Sequence, residues 1–114
     1  MKQAPNQFVG WFVKSVSERH FPDETGAFRT QQVGVLCAIY SLQRDNELPT
    51  VAKIREIYGG LTQSQAMRII NRLVERDLIE RISTPILTTG RGKILTFKIK
   101  ETEEFKALVR GMQR

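Results

Sequence analysis

The run Thr62-Gln63-Ser64-Gln65-Ala66-Met67-Arg68-Ile69-Ile70-Asn71-Arg72 sets hydroxyl, carboxamide and guanidinium groups close together. On a helix, Gln63, Ser64, Met67, Arg68, Asn71 and Arg72 look one way, and Ala66, Ile69, Ile70, Leu73 and Val74 look the other. Polar groups gathered near a helix N-terminus suit phosphates and base edges. A glutamine carboxamide can bond adenine through two hydrogen bonds, and an arginine can do so with guanine. Each good pair is worth roughly 1–3 kcal/mol of discrimination. A solvated helix face carries the same residue types, so the elements around it must decide.

Gly59-Gly60 reads as a tight turn before this helix, and Thr62 as its N-cap. Gln65 stands three residues after Thr62, the spacing of a capping box. A shorter helix, Val51 to Tyr58, precedes the turn with Thr50 as its cap. Its inward side is Val51, Ile54, Ile57 and Tyr58, and its outward side Lys53, Arg55 and Glu56. Helix, glycine turn and helix together make the helix-turn-helix pattern. Two longer helices are expected upstream. One spans 7–21 with Phe8, Val9, Phe12, Val13 and Val16 at helical spacing, and the other runs from a Thr30 cap to about Asn46. Leu48, kept extended by the Pro49 that follows, offers a short additional strand.

Asp77 ends the polar helix where a left-handed residue is expected. Two strands follow, Leu78 to Thr88 and Lys93 to Lys100. A two-residue Gly90-Arg91 turn would pair Leu87 with Ile94, Ile86 with Leu95, Thr84 with Phe97 and Ile82 with Ile99. That register puts Ile82, Ile86, Leu95, Phe97 and Ile99 on one face and Arg81, Ser83, Lys98 and Lys100 on the other. Thr102 caps a last helix to residue 113, with Phe105, Leu108, Val109 and Met112 on its apolar face. The apolar faces of the first and last helices either cover the domain core or meet a second copy of the chain.

Charge is distributed unevenly. Residues 1–52 hold five basic and five acidic side chains, and residues 101–114 hold three of each. Residues 53–100 hold ten basic against four acidic, which is the whole net charge of +6. A localised basic surface is the footprint of a polyanion. One cysteine, Cys37, and one histidine, His20, leave no disulfide framework and no Cys/His zinc site. No acid pair, nucleophile or metal-ligand cluster has a catalytic spacing, so neither an enzyme nor a cofactor is expected. No run approaches the roughly 20 apolar residues of a membrane span, and the N-terminus does not read as a signal peptide.

Helix, helix, helix-turn-helix, hairpin and helix is the order of a winged helix-turn-helix domain, mainly α with a β-hairpin wing. The stretch Leu61 to Arg81, ending Arg72-Leu73-Val74-Glu75-Arg76-Asp77-Leu78-Ile79-Glu80-Arg81, resembles the MarR-like winged-helix regulators. The resemblance covers roughly residues 30–100 of an expected single domain, 1–114. Asp77 stands in place of the usual glycine, and the wing lacks the Asp- and Arg-rich pattern of many members. One C-terminal helix replaces a longer helical dimerisation region.

The resemblance implies that Thr62, Gln63, Ser64, Gln65 and Arg68 enter a major groove. Met67 would touch a thymine methyl or pack in the domain. Asn71 and Arg72 would meet phosphate or solvent, and Lys53 and Arg55 phosphate or solvent likewise. Arg91 and Lys93, on the wing, would reach a minor groove or a phosphate. The expected function is sequence-specific binding of double-stranded DNA by a cytoplasmic homodimer, as a repressor-like transcriptional regulator. If the source is prokaryotic, the protein would be nucleoid-associated. Two alternatives share the fold: an accessory factor for replication, partition or recombination of a mobile element, and a protein-interaction module.

Overall fold

A computed structural model describes residues 4–85 and 92–112, with the side chains of 4–6 and 112 left aside. Seven elements lie within those residues: α1 (Ala4–Ser17), α2 (Gly26–Arg44), α3 (Val51–Tyr58), α4 (Gln63–Glu75), β1 (Ile79–Pro85), β2 (Lys93–Ile99) and α5 (Glu103–Met112). The architecture is mainly helical, with one antiparallel two-stranded hairpin. None of the described helices is long and apolar enough to cross a membrane.

Caps set the helix starts. Thr50 accepts from the Lys53 backbone N–H, and Thr62 from that of Gln65, while Gln65 Oε1 accepts from the Thr62 N–H at 2.9 Å. The expected capping box is therefore present in full. Thr102 accepts from the Phe105 N–H at 3.1 Å, as expected of a cap. The start of α2 differs from expectation. Thr25 is its cap, and the Thr30 hydroxyl instead donates to the Gly26 carbonyl one turn back. Both threonines satisfy the cap preference. Thr25 prevails because starting there carries Phe28 into the core, where it is 3% exposed.

One apolar cluster joins all the helices. Leu36, Ile39 and Leu42 of α2 meet Ile54 of α3, Ala66, Ile69, Ile70 and Leu73 of α4, and Phe97 and Ile99 of β2. The first and last helices close one end with aromatic rings. Phe8 stacks on Tyr40 at 4.2 Å between centroids, and Phe105 lies 5.7 Å from Phe8 and 5.6 Å from Trp11. Phe8, Phe12, Val16 and Phe105 are all buried in the chain's own core. Of the two roles open to these helices, core covering takes those residues, and only Val9 and Val13 leave α1 pointing outward, 44% and 46% exposed.

The hairpin corrects the expected register. Ile79 pairs with Ile99, Arg81 with Phe97, Ile82 with Thr96, Ser83 with Leu95, Thr84 with Ile94 and Pro85 with Lys93. The slip is three residues, an odd number, so β1 turns its other face inward. Asp77 takes a left-handed φ of 64°, as expected, and the chain enters β1 at once. Leu78 packs against the edge of the core, and Ile79 enters it fully and pairs there with Ile99, at 2% and 0% exposure. The two-residue turn would have put Ile79 on the polar face. Ile82 and Leu95, expected inside, are 36% and 40% exposed. Ile86 and Leu87 lie outside the described residues. Leu48 adds no short strand to the two-stranded sheet, although the Pro49 carbonyl accepts from the Phe97 N–H at 3.0 Å.

Candidate nucleic-acid interface

The polar face of α4 stands on a buried base. Ala66, Ile69, Ile70 and Leu73 are at most 1% exposed, while Thr62, Gln63, Ser64, Gln65, Arg68 and Asn71 are exposed and Met67 is half-buried. Gln63 and Ser64 make no side-chain hydrogen bond among the described residues, so both are free to bond a ligand. Thr62 and Gln65 are committed to each other by the capping box. Gln65 Oε1 already accepts from the Thr62 N–H, so Gln65 keeps its N–H groups to donate, while Gln63 has both donor and acceptor open.

Three arginines, Arg68, Arg72 and Arg76, recur one per turn on α4, and their surroundings differ sharply. The Arg68 guanidinium lies 4.0 Å over the Phe28 ring, with no ion pair among the described residues. It is a cation held in place by a flat apolar surface. Arg72 donates to Asp23 at 2.8 Å, to Glu24 at 2.9 Å and to Glu75 at 2.8 Å, and its side chain is 13% exposed. This replaces the expected phosphate-facing or solvated Arg72 with one bound inside the protein. The Arg76 side chain is 1% exposed, donates to Gln32 Oε1 at 2.7 Å and to the Arg19 carbonyl at 2.7 Å, and pairs closely with Glu24.

Glu24 is the centre of that network. Its carboxylate is fully buried and accepts from Arg29, Gln32, Arg72 and Arg76. Burial pushes its pKa up, but the bonds from Gln32 and Arg72, the charge of Arg76 and the bond from Arg29 outweigh this and hold it below the ordinary carboxylate value. Asp23 is also held low, mainly by the Arg72 hydrogen bond. The Arg72 bond to Asp23 in turn raises the arginine's pKa, while burial lowers that of Arg76 against the pull of Glu24. Phe21 packs beneath the guanidiniums of Arg19, Arg72 and Arg76, at 4.8, 4.3 and 4.8 Å. The α1–α2 loop is thereby fastened to the C-terminal half of α4, and the N-terminal half is left open.

The other expected contacts divide. Arg55 donates to the Leu61 carbonyl at 3.0 Å, which braces the turn into α4. Lys53 pairs with Glu47 at 3.0 Å, an exposed pair that solvent weakens. Asn71 Oδ1 accepts from the Arg81 guanidinium of β1. Lys93 is exposed at the outer end of β2, and Arg91 lies outside the described residues. Sequence reasoning did not select Arg81, because the expected register turned it to the far face. It also had no pattern for Glu24, Gln32 or Phe21, whose contacts with Arg72 and Arg76 span 44 to 55 positions.

Among the described residues, no group of three or more His, Cys, Asp or Glu side chains is placed to hold a metal ion. The chain matches no protein-family model, no curated protein and no solved structure.

Proposed function

We propose that the chain is a winged helix-turn-helix protein that binds double-stranded DNA by sequence. In this reading α4 is the recognition helix, the hairpin is the wing, and the protein is a repressor-like regulator rather than an enzyme. The observation that carries it is the division along α4. Arg72 and Arg76 are neutralised within the fold, while Arg68 keeps its charge without an acidic partner beside the open Gln63 and Ser64. Asp23 lies within electrostatic reach of Arg68 but forms its ion pair with Arg72, so the Arg68 guanidinium rests on the Phe28 ring with its N–H donors not taken by a carboxylate. Arg68 suits guanine O6 and N7, and Gln63 suits adenine.

We further propose a homodimer with twofold symmetry, built on the outward Val9 and Val13 of α1. Two recognition helices would then read half-sites about one helical turn, ~34 Å, apart. Selection from random duplex DNA tests both statements. A defined palindromic winner is expected. Equal recovery of all sequences would refute sequence-specific recognition, and a winner with a single half-site would refute the symmetric dimer.

A further inference from the structure

The observed register delivers a residue to α4 that no expectation placed there. Directly paired residues of antiparallel strands share a face, so Ile79, Arg81, Ser83 and Pro85 look the same way as Ile99, Phe97, Leu95 and Lys93. Ile79, Phe97 and Ile99 lie in the core, with β1 packed on α4 and β2 on α2, and Arg81 is the next position outward on β1. Its guanidinium meets the Asn71 carboxamide on the exposed face of α4. Arg81 is exposed and has no acidic partner among the described residues, whereas its strand neighbour Glu80 looks away on the opposite face. A guanidinium has five N–H donors in a fixed fork. The contact with Asn71 leaves most of them open in the angle between helix and hairpin.

We propose that Arg81 binds a backbone phosphate of duplex DNA and that Asn71 is its positioning residue. This rests on the DNA-binding reading and extends it. Asn71 takes one N–H and fixes the plane of the fork, so the other edge faces outward between α4 and the hairpin. Phosphate oxygens match that fork in paired hydrogen bonds. Arg81 therefore ties the hairpin base to the same nucleic-acid strand that α4 approaches. It carries no base preference of its own, because phosphate contacts position without specifying.

The test uses the full chain and a mixed-sequence duplex of about three helical turns, with affinity followed by fluorescence anisotropy across a salt series. Each phosphate contact adds about 0.9 to the slope of log affinity on log salt, so removing one weakens binding about eightfold at 0.1 M salt. Arg81→Ala is expected to lose this much per protomer on every sequence. Arg81→Gln, which can still donate to Asn71, should lose as much. Arg81→Lys should keep the wild-type slope. Asn71→Ala should weaken binding in the wild-type background and have no effect in the Arg81→Ala background. Wild-type slope and affinity in both Arg81→Ala and Arg81→Gln would overturn the inference while leaving DNA binding standing. A base preference that changes with Arg81→Ala would overturn the phosphate assignment. A wild-type protein that binds no duplex at any salt would overturn both. Thermal melts followed by circular dichroism separate folding loss from binding loss, and Arg81→Gln supplies the measurement if Arg81→Ala unfolds.

Discussion

Replacing Glu24 by glutamine should remove a large part of the protein's stability. The Glu24 side chain is buried, and that of Arg76, 1% exposed, depends on it for its counter-charge. Glutamine keeps the shape but offers one acceptor oxygen and turns an N–H₂ group toward guanidinium donors. Removing one partner of a buried pair typically costs about 3–5 kcal/mol, because the other charge stays buried and uncompensated. A chain of 114 residues has a total stability on the order of 6–17 kcal/mol. With a urea dependence of about 1.5 kcal/mol per M, the unfolding midpoint should fall by about 2 M or more. Far-UV circular dichroism in urea measures this, and a shift under about 0.5 M would refute the reasoning. The double substitution Glu24→Gln with Arg76→Met should recover most of the loss, since no orphan charge is left. The same group sets an acid dependence. Its pKa is lower in the fold than in the unfolded chain, so the unfolded state binds more protons between the two values and stability rises with pH there. The contribution is complete above the unfolded value of about 4.3 and is lost as pH falls through the folded one. The wild type should therefore lose stability below that pH more steeply than Glu24→Gln.

Arg68→Ala should relax base preference at one position by about 1–3 kcal/mol, and selection with the variant checks it; equal loss on all sequences would move Arg68 to a phosphate. Phe105→Asp puts a charge into a site that is 5% exposed, so thermal melting should show an unfolded or strongly destabilised protein. Val13→Glu should leave the melting temperature nearly unchanged and yield a monomer by light scattering, and a dimeric Val13→Glu protein would remove α1 from the interface.

Local chemistry was legible in the sequence, and long-range chemistry was not. The α4 start is written in four residues, Thr62 to Gln65, and the structure has both capping bonds. The left-handed Asp77 was readable because few side chains tolerate that backbone. The α2 start was misplaced because Thr25 and Thr30 are equal as local signals, and only the burial of Phe28 separates them. The hairpin register was misread for a similar reason. Gly90-Arg91 offered a tight turn, while the deciding contact, Ile79 against Ile99, depends on how the strand leaves α4. Arg68, Arg72 and Arg76 look alike in sequence. Their different surroundings come from the loop holding Phe21, Asp23 and Glu24, which folds back over the last turns of the helix. The sequence thus shows which α4 side chains face outward, Gln63, Ser64 and Arg68 among them, but not that Arg72 is bound by acids from a distant loop.

The basic excess of residues 53–100 looks different once partners are known. Of its described cations, Lys53, Arg72, Arg76, Lys98 and Lys100 are ion-paired, and Arg55 is spent on a carbonyl. Exposed pairs such as Lys100–Asp77 can open at small cost, but the acid stays beside the lysine and offsets its attraction for phosphate. Arg68, Arg81 and Lys93 are the remaining described cations of this segment, with neither an ion pair nor a carbonyl contact among the described residues. They run from the middle of α4 through the hairpin base to the outer end of β2. Three phosphate contacts would give a salt slope of about −2.7 per protomer, against about −9 if all ten cations of the segment made contacts. If Arg68 is on a base instead, the slope from phosphates falls nearer −1.8. A shallow slope with strong sequence preference is thus the expected behaviour. Arg72 and Arg76 are neutralised inside the fold and Lys53, Lys98 and Lys100 by exposed acids, so under the proposed DNA-binding function recognition would rest more on base edges than on bulk attraction.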